Sequence, residues 1–212
     1  MKIEKFIFSP FQENTYVVWD EETKEAIIID PSCLAENEEI KLKTFIMENN
    51  LNVKYLFNTH GHLDHIFGNA FVKNSFNPIH YAPEKDIPLF ERATEQAESF
   101  GLTMQASPKP DKYFDESIPL FIGKTEIRFL FTPGHTPGEY CINFPTENIC
   151  ITGDVLFHES IGRTDLWKGD FDTLINSIKA KLFVLPEETV IYPGHGDKST
   201  INYEKTNNPF LT

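Results

Sequence analysis

Asn58-Thr59-His60-Gly61-His62-Leu63-Asp64-His65 places three histidines and an aspartate within six positions. The stretch follows Tyr55-Leu56-Phe57, a short apolar run that reads as the end of a strand. Packing gives no reason to gather imidazoles at a strand end, whereas a metal ion does. The segment therefore reads as half of a metal site, with the other half to be sought elsewhere in the chain.

The elements upstream place this loop in an α/β pattern. Lys2 to Phe8, Tyr16 to Trp19 and Ala26 to Ile29 read as strands, and the polar Asp20–Lys24 between the last two predicts a hairpin turn. Asp30-Pro31 closes the third strand, Glu36 to Asn49 reads as a helix, and Val53 to Phe57 is a buried strand that delivers the histidine cluster. Strand, helix, strand and loaded loop is the order in which function collects at the carboxyl ends of strands. Downstream, Ile66 to Asn74 is expected to form one short helix and Pro78 to Tyr81 a brief strand. Ile87, Phe90, Ala93, Ala97 and Phe100 have the spacing of an amphipathic helix over Asp86–Phe100, with Pro88 in its first turn. Residues 84–112 read as an insertion able to act as a lid.

The second half repeats the strand logic, with a loose two-fold pattern. Ile118 to Ile122 and Thr125 to Phe131 flank a turn at Gly123, and Tyr140 to Phe144 pairs with Asn148 to Thr152. Asp170 is a suitable cap for a helix reaching Leu185, with Phe171, Leu174, Ile175, Ile178 and Leu182 on one face. Thr189 to Tyr192 is the last predicted strand. Three more loops follow strands: Pro133-Gly134-His135-Thr136-Pro137-Gly138, Gly153-Asp154, and Pro193-Gly194-His195-Gly196.

Composition excludes several function classes. The net charge of −13, without any run of basic residues, argues against a nucleic-acid partner. No apolar run approaches the ~18 residues of a membrane span, and Met1–Phe6 lacks the apolar core of a secretory signal. The expected location is the cytoplasm and the expected partner a small-molecule substrate. The three cysteines, Cys33, Cys141 and Cys150, form no C-x-x-C pair, and an odd number does not make a disulfide framework.

Of seven histidines, His60, His62, His65, His135 and His195 lie in loops that follow predicted strands, as do Asp64 and Asp154. His80 and His158 are assigned no ligand role. Imidazole and carboxylate without thiolate suit zinc first, with iron or manganese as alternatives. Seven donors exceed the needs of one tetrahedral ion, whereas two divalent ions sharing a carboxylate use all of them. His60 and His62 fall on one side of an extended segment, and Asp64 and His65 lie past its bend, so each pair can serve a different ion.

Thr59-His60-Gly61-His62-Leu63-Asp64-His65 resembles the signature of the metallo-β-lactamase superfamily, and the three later loops match its later motifs in order. Within that superfamily the chain is most similar to the glyoxalase II group. The resemblance implies one domain over residues 1–212 with the α/β architecture of an αββα four-layer sandwich. It implies that His60, His62 and His135 bind one ion, that Asp64, His65 and His195 bind the other, and that Asp154 bridges them. Arg163, in Ser160-Ile161-Gly162-Arg163-Thr164-Asp165, stands where family members carry a cation for the glutathione carboxylate; Asp165 replaces a usual aromatic, and an Arg163 ion pair with Asp165 or Asp170 is the alternative. Typical glyoxalase II members continue into a helical domain beyond the position of Thr212, so a short form is expected.

Such a site implies hydrolysis of a thioester, S-lactoylglutathione or a related acyl-thiol, by a metal-bridging hydroxide that Asp64 and Asp154 orient. A thiolate leaves readily without a strong general acid. Two other readings share the motifs. One is a mononuclear Fe(II) persulfide dioxygenase, which has a similar Gly-Arg-Thr-Asp segment. The other is a lactonase or β-lactamase-like hydrolase, against which Asp154 occupies a position that many lactamases give to cysteine.

Overall fold

A computed structural model describes residues 1–212. The chain divides into two compact units, residues 1–113 with 121–125 and residues 114–120 with 126–212.

The N-terminal unit opens with an antiparallel meander, β1 (Lys2–Phe8), β2 (Glu13–Trp19) and β3 (Glu25–Ile29). The β2–β3 turn is set by Asp20, whose Oδ1 accepts from Thr23 N at 2.7 Å and Glu22 N at 3.1 Å. The sheet then becomes parallel: β4 (Asn52–Phe57), β5 (Ile79–Ala82) and β6 (Lys112–Tyr113) join β3 in succession, giving the order β1-β2-β3-β4-β5-β6. Parallel neighbours need crossovers. These are α1 (Glu36–Glu48), the pair α2 (Leu63–Ile66) and α3 (Asn69–Phe76), and α4 (Ile87–Ser99). A central strand covered on both faces can be apolar throughout, and Ala26, Ile27, Ile28 and Ile29 are all fully buried. Phe6, Phe8, Val17, Ile28, Leu42, Ile46, Val53 and Leu56 form one core cluster. A second joins Leu63, Ile66 and Phe67 to Phe90, Ala93 and Ala97 of α4. Phe100, expected on that apolar face, is 56% exposed, because the helix has already ended at Ser99.

The single helix expected over Ile66–Asn74 is instead two. Gly68 N donates to Pro31 O at 2.7 Å, so the amide leaves the helical ladder at this point. A Cβ on Gly68 would stand 2.4 Å from Cys33 Sγ, and only glycine permits this approach. The break lets α2 carry the end of the histidine stretch as a separate short element.

The second sheet has the order β14-β13-β10-β9-β8-β7, built from β7 (Leu120–Ile122), β8 (Thr125–Phe131), β9 (Tyr140–Phe144), β10 (Ile149–Gly153), β13 (Val190–Pro193) and β14 (Ser199–Thr200). A small hairpin, β11 (Leu156–Phe157) with β12 (Ser160–Ile161), stands apart from it. Because β8 and β10 each run antiparallel to β9, and β13 runs parallel to β10, β8, β10 and β13 share one direction. Their carboxyl ends carry the loops of His135, Asp154 and His195.

The crossover from β10 to β13 contains α5 (Phe171–Ser177), capped as expected by Asp170, which accepts from Thr173 N at 2.8 Å. The α-helix does not continue to Leu185; it passes into a π-helical turn over Ile178–Leu182. The wider turn keeps Leu174, Ile178 and Leu182, spaced four apart, fully buried in the core cluster of the C-terminal unit. Strands β6, β11, β12 and β14 and helix α6 (Ile201–Asn207) were not among the predicted elements. The four strands are two residues long and carry no readable period. All three cysteines are buried and unpaired by disulfide. No helix is long and apolar enough to cross a membrane.

Gly134 fixes the His135 loop against α5. Its φ is +139°, and a Cβ there would lie 2.4 Å from the backbone of Leu174. Gly134→Ala is therefore expected to cost about 2–4 kcal/mol of stability, from overpacking and a disfavoured backbone together. Urea unfolding of the two proteins measures it, and equal midpoints would show that the loop yields freely.

Candidate metal centre

In the N-terminal unit the histidine stretch leaves β4 in extended form and turns into α2 at Leu63. His60 and His65 are fully buried, His62 is 8% exposed, and the Asp64 side chain is 14% exposed. Such burial of imidazoles and carboxylate is costly without partners or an ion. His60 Nε2 and His62 Nδ1 point at one another across 3.1 Å, as two ligands aimed at a common point do. His65 Nε2 lies 4.0 Å from Asp64 Oδ2.

The hydrogen bonds decide the tautomers. Thr59 Oγ1 donates its only proton to Asp30 Oδ2 at 2.7 Å, so toward His60 Nδ1, 3.1 Å away, it can only accept. His60 therefore carries its proton on Nδ1 and its lone pair on Nε2. His65 Nδ1 donates to Asp30 Oδ2 at 3.1 Å, which likewise leaves the lone pair on Nε2. Donation of the far ring nitrogen to a carboxylate is the usual arrangement around a metal-binding imidazole.

Asp30 is the organiser of this half and was not identified from the sequence as a site residue. It follows β3, next to the ligand-bearing β4, and its φ is +48°. Its Oδ1 accepts from Thr59 N at 2.7 Å, while Oδ2 takes Thr59 Oγ1 and His65. Glu13, fully buried, places Oε1 3.6 Å from the same His65 nitrogen. Glu13, Asp30 and His65 are close enough to be considered a cation site of their own, but the nitrogen they share is the one that donates to Asp30, so the two carboxylates brace the His65 ring. Asp86 adds a further tie, accepting from Gly61 N at 3.1 Å. A carboxylate at a strand end beside the loaded strand was the available sequence signal for Asp30; nothing local marked Glu13 or Asp86.

In the C-terminal unit three donors come together around Asp154. Its Oδ2 is 3.6 Å from His135 Nε2 and 3.8 Å from His195 Nε2. Asp154 and His195 follow adjacent parallel strands, tied by Gly194 N donating to Gly153 O at 2.7 Å. His135 Nδ1 donates to Arg163 O at 2.7 Å, so its lone pair is on Nε2, facing Asp154. The buried Glu139 accepts from Asp154 N at 2.8 Å and its carbonyl accepts from Thr132 N at 2.9 Å, joining the two ligand loops. Gly162 must be glycine, since a Cβ would lie 1.7 Å from Asp154 O and 3.2 Å from His135 Cβ.

Arg163 reaches this site through its carbonyl. Its guanidinium forms a two-point ion pair with Asp165, Nε to Oδ1 at 2.8 Å and Nη2 to Oδ2 at 2.7 Å. That bond holds the Asp165 carboxyl down at about 2. Of the two histidines assigned no ligand role, His80 is buried against Asn58 and His158 stacks on Tyr203.

A family model described as the metallo-beta-lactamase superfamily matches residues 8–195. The hydroxyacylglutathione hydrolase GloC of Haemophilus influenzae is 43% identical over 213 residues, covering 100% of this chain and 98% of its own. Among solved structures, the BLEG-1 B3 metallo-beta-lactamase superposes with a TM-score of 0.90 at 33% identity over 100% of both chains. A di-iron-bound form of TTHA1623 gives 0.87 at 33% identity, covering 98% of this chain and 100% of its own. The α/β fold expected from the motifs is thus the metallo-β-lactamase fold. The chain belongs to the metallo-beta-lactamase superfamily and is a metallo-hydrolase of that family.

Proposed function

We propose that the chain is a dinuclear metal-dependent hydrolase of thioesters. The observation that carries the metal reading is the locked tautomer of His60, His65 and His135: each gives its Nδ1 proton to a protein oxygen and keeps its lone pair on Nε2. Proximity of histidines alone gives no reason for this, whereas a ligand role through Nε2 does. His60, His62 and His135 would hold one ion, Asp64, His65 and His195 the other, with Asp154 shared. Two ions bound there supply an activated water as nucleophile and Lewis acidity toward the carbonyl oxygen of the substrate. Zinc suits the nitrogen and oxygen donors; the di-iron form of TTHA1623 makes iron the alternative.

The remaining chemistry belongs to the chain. Asp64 and Asp154 orient the attacking water by accepting its hydrogen bonds. Glu139 and Asp30 keep the ligand loops in place so that little reorganisation accompanies the reaction. Residues 84–112 border the ligand loop within their own unit, through Asp86 on Gly61, and would shelter the reacting group. Arg163 would receive a carboxylate of the thiol carrier in exchange for Asp165. A thioester is favoured because the chain is similar along its whole length to a hydroxyacylglutathione hydrolase. The likeness to BLEG-1 supports a second reading, β-lactam hydrolysis.

Metal analysis with a substrate panel tests the reading. Two zinc or iron per chain, with oxygen-independent turnover of S-lactoylglutathione well above that of β-lactams and lactones, is the expected result. One iron per chain with oxygen consumed on a persulfide substrate would replace the hydrolase by a dioxygenase, and preference for a β-lactam would replace the substrate class.

Asp154→Ala should lower thioester turnover by at least about 100-fold, more than loss of an outer hydrogen-bond partner costs, and reduce metal content with it. Near-normal turnover of this variant would remove Asp154 from the site. His135→Ala is expected to behave in the same way, read by metal content after dialysis and by kcat/KM.

A further inference from the structure

His80 lies on β5, one strand over from the histidine stretch, and is fully buried. Its neighbour in the sheet register is Leu56, two residues before Asn58. His80 Nε2 stands 2.7 Å from Asn58 Oδ1, and Asn58 Nδ2 donates to the backbone carbonyl of His65 at 3.0 Å. A carbonyl can only accept, so the Asn58 amide has one orientation, and its oxygen faces His80. His80 must then carry its proton on Nε2. Burial, which holds its pKa down at about 4, keeps the ring neutral, and Nδ1 meets no hydrogen-bond partner.

Every valence of the Asn58 amide is used. Its two N–H groups go to His65 O and, at 3.1 Å, to Asn69 Oδ1. Its oxygen accepts from His80 Nε2 and, at 2.9 Å, from Asn69 Nδ2. Asn69 also donates to Ser107 Oγ at 2.8 Å, which ties in the loop before β6. His80 is held in turn by its backbone: its N–H donates to Asp111 Oδ2 at 2.8 Å, and its carbonyl accepts from Asp111 N at 2.9 Å. The whole network is in the N-terminal unit. It grips the carbonyl of His65, in the middle of the four-residue helix that presents Asp64 and His65. So short a helix has few internal hydrogen bonds to fix it, and this donor is one of its outside ties, beside the His65 ring on Asp30 and the burial of Leu63 and Ile66.

We propose that His80 is a positioning residue for the second metal ion: acting through Asn58, it sets α2 so that Asp64 and His65 present their donor atoms to that ion. The proposal rests on the two-ion reading above. It makes a distinction that a merely structural role would not. His60 precedes α2 and is held by Thr59, while His62 stands only at the N-terminal cap of α2, so the first ion should depend on His80 much less than the second.

The test compares wild type with His80→Phe, which fills the space but donates nothing, and His80→Gln, whose amide N–H can occupy the place of Nε2. Zinc is titrated against a chromophoric chelator, and cobalt spectra report each ion as it binds. His80→Phe should weaken the second ion by about 10-fold, the lower end of what loss of a direct outer partner costs, because His80 acts one residue further out through Asn58. It should leave the first within about threefold, and His80→Gln should restore the second. Unchanged affinity for both ions in His80→Phe would overturn the proposal. So would equal weakening of both ions, or failure of His80→Gln to restore the second while thermal unfolding shows it folded as wild type. A wild-type chain that takes up only one ion would overturn the two-ion reading and this proposal with it, so the two failures are told apart by the wild-type titration.

Discussion

The carboxylate of Asp30 is the interaction on which the N-terminal ligand group depends. One buried side chain accepts from the amide of Thr59, the hydroxyl of Thr59 and the ring of His65. Because the Thr59 proton is spent on it, the His60 tautomer is decided as well, one residue further on. A single anion, charge-assisted in each bond, thus sets the protonation of two proposed ligands. The cost is a non-glycine residue held at positive φ, the kind of local strain that persists where the surroundings over-determine it.

The C-terminal unit reaches the same end with different parts. Here the Nδ1 proton of His135 goes to a backbone carbonyl, that of Arg163, and a buried glutamate, Glu139, holds the amide of Asp154. The close approach is possible only because residue 162 has no side chain. The parallel alignment of β10 and β13 then brings Asp154 and His195 side by side, since adjacent parallel strands end at the same edge. In both units, loops at carboxyl strand ends supply the donors, and buried carboxylates or carbonyls determine which nitrogen is available.

Where the sequence reading stopped short, the reasons are physical. The long apolar runs and their bounding turns predicted most strands to within a few residues, because burial of a period-2 or continuous apolar face is a local signal. The break at Gly68 was hidden because its cause, contact with Pro31 and Cys33, lies far away in the chain. The π-helical turn after α5 satisfies the same apolar spacing that an α-helix would. From the sequence Arg163 reads either as a cation for a substrate carboxylate or as an ion-pair partner of a nearby aspartate. The second holds in the structure, and its carbonyl has a role that no side-chain pattern could announce.

By itself the sequence pointed to the proposed donor chemistry: seven histidine and aspartate side chains, no thiolate among them, each in a segment that follows a strand in a chain of α/β order. Side-chain identity and strand periodicity are written locally, so these features need no knowledge of contacts. Only the tertiary structure decided which nitrogen of His60, His65, His80 and His135 carries the proton, that Asp30, Glu13 and Glu139 brace the proposed ligands, and that Asn58 couples His80 to α2. Those properties depend on hydrogen bonds between residues many positions apart, whose geometry is set when parallel strands align and neighbouring loops are brought to the same edge.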